Sequence, residues 1–245
     1  MASTAEYDSS TQYFESLRGY VLSPFPGARK IISQEQTQIE AELRGFETFL
    51  DRIEDIECEQ PQWRYAEGID GSQSRKLTKV RDAYQETVMS VAHYDEVYDN
   101  TLLADVEAEF GSELAAVVHP TTETSFTERT RELVVTAAKN SIQQRTAMLE
   151  RLDAEEQSLA NAQEQIEELV EGLDGAHIPY WYATTFQTRI NELACDRQAM
   201  IRRTQTSGFT NGHQLCEYLY ADERWTYPVL TGLGRLRETV VVPEE

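Results

Sequence analysis

Apolar residues recur along most of this chain in alternating steps of three and four. Ile32, Ile39, Leu43, Phe46, Leu50 and Ile53 form a heptad stripe, which predicts a first long helix over about 28–57. Pro61 marks its end, and Gly68 to Gly71 reads as a turn. Leu77, Val80, Tyr84, Val88, Val91, Tyr94 and Tyr98 predict a second helix with Ser72 or Ser74 as its N-cap. A further periodic piece, Leu102, Leu103, Val106 and Phe110, is broken at Gly111-Ser112. After Glu113 to Val118 it stops at His119-Pro120.

The third helix is the longest. Its stripe runs Ala138, Ile142, Arg145, Leu149, Leu152, Glu156, Leu159, Gln163, Ile166, Val170 and Leu173. Ser125 and Glu128 match a capping box at its start, and Asp174-Gly175 suits its end. Some 45 helical residues span roughly 70 Å. A fourth helix follows Pro179, with Tyr182, Phe186, Ile190, Leu193, Arg197, Met200 and Thr204 on its stripe, to about residue 206. The short connection at Gly175 makes helices three and four antiparallel neighbours. Ser23-Pro24-Phe25-Pro26-Gly27 is read as a helix breaker, so residues 1–27 are expected to form an irregular arm, within which Tyr13, Phe14, Leu17, Tyr20 and Leu22 suggest a short helical piece. Two short helices are expected at about 211–220 and 226–238, with Pro228 in the first turn of the second.

No strand alternation of useful length is present. The predicted fold is therefore all-α: an elongated four-helix antiparallel bundle over 28–207 with coiled-coil-like packing, followed by a small aromatic-rich helical cap and tail over 208–245. Arg145, Glu156, Gln163 and Arg197 interrupt the stripes. They either fix register inside the seam or, as the 3.6-residue turn drifts against a 3.5-residue repeat, turn to solvent.

Charge adds to this picture. The chain carries 43 Asp and Glu against 22 Lys and Arg, a net charge of -21. The lysines are only Lys30, Lys76, Lys79 and Lys139. Hydrated carboxylates with little lysine keep a protein soluble in strong salt, so adaptation to a saline cytoplasm is expected; the alternative is an ordinary acidic coiled coil, which also carries many Glu but usually Lys as well. The same balance argues against direct nucleic-acid binding, which needs a basic footprint. No apolar run approaches the roughly 18 residues of a membrane span, and the N-terminus lacks a signal-peptide pattern. A cytoplasmic location is expected.

Candidate chemistry is sparse. A di-iron bundle site needs Glu-x-x-His pairs, but the residues three before His93, His119, His177 and His213 are Ser90, Ala116, Asp174 and Thr210. No phosphate-cradling glycine loop, nucleophile elbow or HExxH is present. Cys58, Cys195 and Cys216 form no CxxC pair, and a Cys–His pairing across the fold stays open. No catalytic residue, metal site or cofactor is expected. Two aromatic groups stand out, Tyr180-Trp181-Tyr182 with Phe186, and Tyr218, Tyr220, Trp225 and Tyr227. They either bury one another at the cap or line a surface for a ligand or partner. Tyr180, Trp181, Tyr218, Trp225 and Tyr227 are the candidate surface residues.

Leu215-Cys216-Glu217-Tyr218-Leu219-Tyr220 and Trp225-Thr226-Tyr227-Pro228-Val229-Leu230 resemble the C-terminal signature of an uncharacterised haloarchaeal helical family. The stretch from Tyr94-Asp95 through Glu109-Phe110-Gly111-Ser112-Glu113-Leu114 and the Leu149–Leu173 helix are similar to the same family. The resemblance implies a helical fold and assigns no activity. The expected role is that of a non-enzymatic interaction or scaffold protein, self-associating or holding a protein partner through an apolar row left on the third helix. The alternative is a regulatory or sensory module that binds a small ligand or partner through its aromatic clusters. Regulation of DNA through a partner protein is a third.

Overall fold

The computed structural model describes residues 15–59, 72–122, 124–172, 180–203 and 212–239. Among these every regular element is a helix. The helices are α1 (15–22), α2 (Pro24–Glu54), α3 (Ser72–Thr87), α4 (Tyr94–Val97), α5 (Leu102–Phe110), α6 (Ser112–Val118), α7 (Glu128–Glu171), α8 (Tyr180–Arg203), α9 (Gly212–Leu219) and α10 (Pro228–Thr239). None is long and apolar enough to cross a membrane. The all-α class follows from the periodicity as expected.

The chain divides into two compact units, and the division differs from the boundaries expected at 27 and 207. One unit comprises 1–35 with 151–245, the other 36–150. The stripes of α2 and α7 are long enough to supply both cores, so each helix gives one part to each unit.

The 36–150 unit is built on aromatic packing. Phe46 and Phe49 of α2, Tyr84 of α3 and Phe110 of α5 meet with ring centroids 5.2–6.4 Å apart, mostly edge to face as ring quadrupoles favour. Ile53, Leu77, Val80, Val106, Leu114, Phe126, Val134 and Ala138 complete the core. A Cβ at Gly45 would stand 3.1 Å from the Thr87 carbonyl oxygen, so glycine lets α2 lie close to the end of α3.

Several local expectations are corrected here. The α3 helix stops at Thr87 instead of running to Tyr98. Thr87 Oγ1 donates to the Ala83 carbonyl at 2.7 Å and Ser90 Oγ to the Glu86 carbonyl at 2.8 Å, side-chain bonds that compete with continued helix. Gly111, at φ +90°, separates α5 from α6 as expected. The start of α7 is capped by Thr127, whose Oγ1 accepts from Thr130 N at 3.3 Å. Ser125 instead contributes its carbonyl to Thr130 Oγ1 at 3.2 Å. Glu128 turns to Arg131 at 2.6 Å.

In the other unit, Pro24 and Pro26 open α2. A proline in the first turn removes only an N–H that has no helical partner, so the segment read as a breaker is a helix start. Residues 15–22 are helical, as the short helical piece expected within the arm, and the helical start at Pro24 replaces the irregular chain expected over 24–27; residues 1–14 lie outside the described residues. Val21, Phe25, Ala28 and Ile32 are buried with Leu152, Leu159 and Ile166 of α7, Phe186 and Ile190 of α8, and Val229, Leu233 and Leu236 of α10. A Cβ at Gly232 would meet Phe25 Cε2 and the Val21 carbonyl at 3.1 Å, so α10 packs closely there. Pro228 stands first in α10, as expected. The turn at Asp174-Gly175 and His177 lies outside the described residues.

Candidate functional site

Both arginines that interrupt the stripes, Arg145 and Arg197, end up inside. On α8, Arg197 stands eleven residues after Phe186, seven after Ile190 and four before Ile201, all buried on one helical face, so its guanidinium is carried inward. On α7, Glu155 lies between Leu152 and Leu159 on the buried face. The two side chains are 4 % and 5 % exposed, and Arg197 Nη2 donates to Glu155 Oε1 at 2.6 Å. Arg197 Nη1 donates to Ser158 Oγ at 2.7 Å, and Ser158 Oγ stands 3.0 Å from Met200 Sδ. Burial pulls the guanidinium pKa down, and Glu155 more than offsets this, so it stands above its ordinary value. Arg197 Nε and the Tyr220 hydroxyl are buried without a hydrogen-bond partner among the described residues.

Beside this pair lies an open groove of about 520 Å³, within the range of small-molecule sites. Its α7 wall is Ala154, Ser158 and Ala162, three small residues in steps of four, with the amides of Gln157, Asn161 and Gln165 beside them. Ile166, Leu193, Met200, Val229 and Leu233 supply apolar lining, Arg197 stands in the wall, and exposed Asp196 is at the rim. Gln157 Nε2 donates to Asn161 Oδ1 at 2.8 Å, which orients both amides along the wall.

The groups around the pair are held in unreactive forms. Burial, then the charge of Glu155, pushes the Cys216 thiol up to about 12. The Tyr220 phenol is shifted upward by the same two causes. Cys216 is therefore a thiol at neutral pH. Cys195, exposed on α8, is expected to react with iodoacetamide at a pH of about 8.5 while Cys216 stays unmodified until the chain is unfolded. Peptide mass spectrometry reads both sites, and Cys216 reacting as fast as Cys195 would show that α9 opens.

The expected aromatic surface is arranged differently. Trp225 packs on Tyr220 with centroids 5.2 Å apart and lies over Gly27. The Tyr218 hydroxyl donates to Glu35 Oε1 at 2.6 Å from a half-exposed ring. Tyr227 is partly buried, and burial raises its pKa. None of these three lines the groove. The side chains of Tyr180 and Trp181 lie outside the described residues.

A second polar centre forms in the 36–150 unit. Buried Glu42 Oε1 lies 3.0 Å from His93 Nε2 and accepts from the Tyr98 hydroxyl at 2.7 Å, while Glu42 Oε2 accepts from Arg145 Nε at 2.9 Å. Arg145 also forks onto Glu109 at 2.7 and 3.2 Å and stands 4.2 Å over the Phe46 ring. Burial works against its charge, and Glu109 followed by Glu42 outweighs burial, leaving its pKa raised. In the aromatic core of the same unit, the space along Phe49, Tyr84 and Phe110 is about 10 Å³.

Of the stripe interruptions, Arg145 and Arg197 are thus internal, while Glu156 reaches Arg29 at 3.8 Å from a partly exposed position and Gln163 bonds Glu167 at 2.9 Å. Glu42, Glu155, Ser158 and Asn161 were not singled out by the sequence pattern. The signal that points to Glu155 is indirect: an arginine on a buried stripe needs an acid on the facing helix. Among the described residues no group of three or more His, Cys, Asp or Glu gathers as metal ligands do. No curated protein and no solved structure matches the chain. The helical family resemblance read in the C-terminal signature has a counterpart: the model of a domain of unknown function, DUF7260, matches residues 23–243, and the chain belongs to that family.

Proposed function

We propose that this protein is a non-enzymatic binding module whose ligand seat is the groove beside Arg197 and Glu155. The observation that carries the reading is an open, largely apolar groove of about 520 Å³ with Arg197, paired to buried Glu155, in its wall. Apolar lining with a few fixed polar groups is the usual composition of a ligand site. The upward-shifted thiol and phenol beside the pair suit binding better than group transfer. The scaffold role expected from the sequence needs an exposed apolar row on α7. Leu133, 40 % exposed, is the one large hydrophobic of that helix so exposed among the described residues, and a single leucine makes no seam.

The neutral fluorophore N-phenyl-1-naphthylamine tests the reading. With about 17 heavy atoms at about 0.3 kcal/mol each, a sub-millimolar Kd is expected. Ala162→Phe places a ring in the groove and is expected to weaken binding at least about tenfold, with helical content by circular dichroism unchanged. Equal binding by the variant, or none by the wild type, would overturn the reading.

A further inference from the structure

We propose that Glu155 determines the charge of the ligand this groove accepts: an uncharged apolar molecule carrying a carbonyl or hydroxyl, and not a carboxylate. The inference rests on the groove being the ligand seat. Among the described residues Arg197 is the only cationic side chain in its lining. A lone arginine in an apolar wall would recruit a carboxylate, since guanidinium and carboxylate match in geometry and charge. Here that position is already taken from within. Glu155 holds Nη2 at 2.6 Å and Ser158 holds Nη1 at 2.7 Å, so both terminal nitrogens are occupied and the charge is balanced, while Nε, without a partner, is buried out of reach. The other groups facing the pair add no positive charge, since the Cys216 thiol and the Tyr220 phenol are neutral. At the rim Asp196 is exposed and repels an anion. What remains for a ligand's polar end is uncharged, the amides of Asn161 and Gln165. An apolar body fits the lining, and a neutral acceptor or donor fits the amides.

The test is displacement of N-phenyl-1-naphthylamine by 2-undecanone and by undecanoate, at a pH of about 8 where the acid is ionised. In the wild type the ketone is expected to displace the probe at a concentration at least about tenfold lower than the carboxylate, because the carboxylate must be desolvated without a cation to receive it. Glu155→Gln keeps the shape and releases the guanidinium charge. It is expected to improve undecanoate at least about tenfold while 2-undecanone changes by less than about threefold. Glu155→Gln with Arg197→Gln is expected to lose that gain. A wild type that takes undecanoate as well as 2-undecanone overturns the inference, whether or not Glu155→Gln folds. So does a folded Glu155→Gln variant that leaves the ratio of the two unchanged. If Ala162→Phe leaves displacement by 2-undecanone intact, the groove is not the seat, and it is the underlying reading that fails.

Discussion

Replacing Arg197 with methionine is expected to lower the free energy of unfolding by about 3–5 kcal/mol, the range for removing one partner of a buried pair. Methionine nearly matches the aliphatic stem, so most of the loss comes from Glu155, left 5 % exposed and without its cation. Ser158 loses a donor at the same time. The double variant Arg197→Met with Glu155→Leu is expected to regain most of the loss, because two apolar side chains of similar volume carry no desolvation cost. Urea titration followed by circular dichroism reads these two variants and the single variant Glu155→Leu; urea, unlike guanidinium, leaves ionic strength unchanged. If the double variant is as unstable as the two single losses added together, the pair is not coupled and its acid is not what makes Arg197 tolerable inside.

Arg145 is the second large case. Arg145→Met leaves Glu42 and Glu109 facing the same space without a shared cation. The side chains of Arg145 and Glu109 are 14 % and 21 % exposed, so the buried-pair figure is discounted to about 2–4 kcal/mol. Methionine still covers the Phe46 ring, which keeps the apolar contact and isolates the charge. Arg145→Lys restores the charge without the fork that reaches both acids and is expected to recover only part of the loss. Full recovery by lysine in the same urea titration would mean that charge alone matters at this centre.

The residues involved show what periodicity can and cannot reveal. Long stripes predicted α2, α3, α7 and α8 because tertiary packing and helical spacing agree there. The stripe on α2 was drawn through Ile39 and Leu43, yet the buried face also takes Glu42, Gly45 and Phe49. A rule that sends carboxylates outward cannot place Glu42 inside, since its burial depends on His93, Tyr98 and Arg145 from distant parts of the chain. On α7 the pattern picked Glu156 where Glu155 is the buried acid. A one-residue error of this kind is expected when a 3.5-residue repeat is laid over 44 residues of real helix. Arg145 and Arg197 were legible as seam positions, but their partners were not. The groove was not legible at all, because Ala154, Ser158 and Ala162 carry no hydrophobic signal and matter by being small.

The sharing of α2 and α7 between two units has a consequence during synthesis. The unit over 36–150 is continuous in sequence and is fully made once residue 150 has left the ribosome. The other joins residues before 36 to residues after 150, and α10 ends only at Thr239. At 5–20 residues per second, roughly 5–20 s separate the two events. Throughout that interval Leu17, Val21, Phe25 and Ile32, all destined for burial, are on a nascent chain without their partners on α8 and α10. The 36–150 unit has that interval to fold, while the N-terminal helices wait with apolar side chains uncovered until α8 and α10 are made.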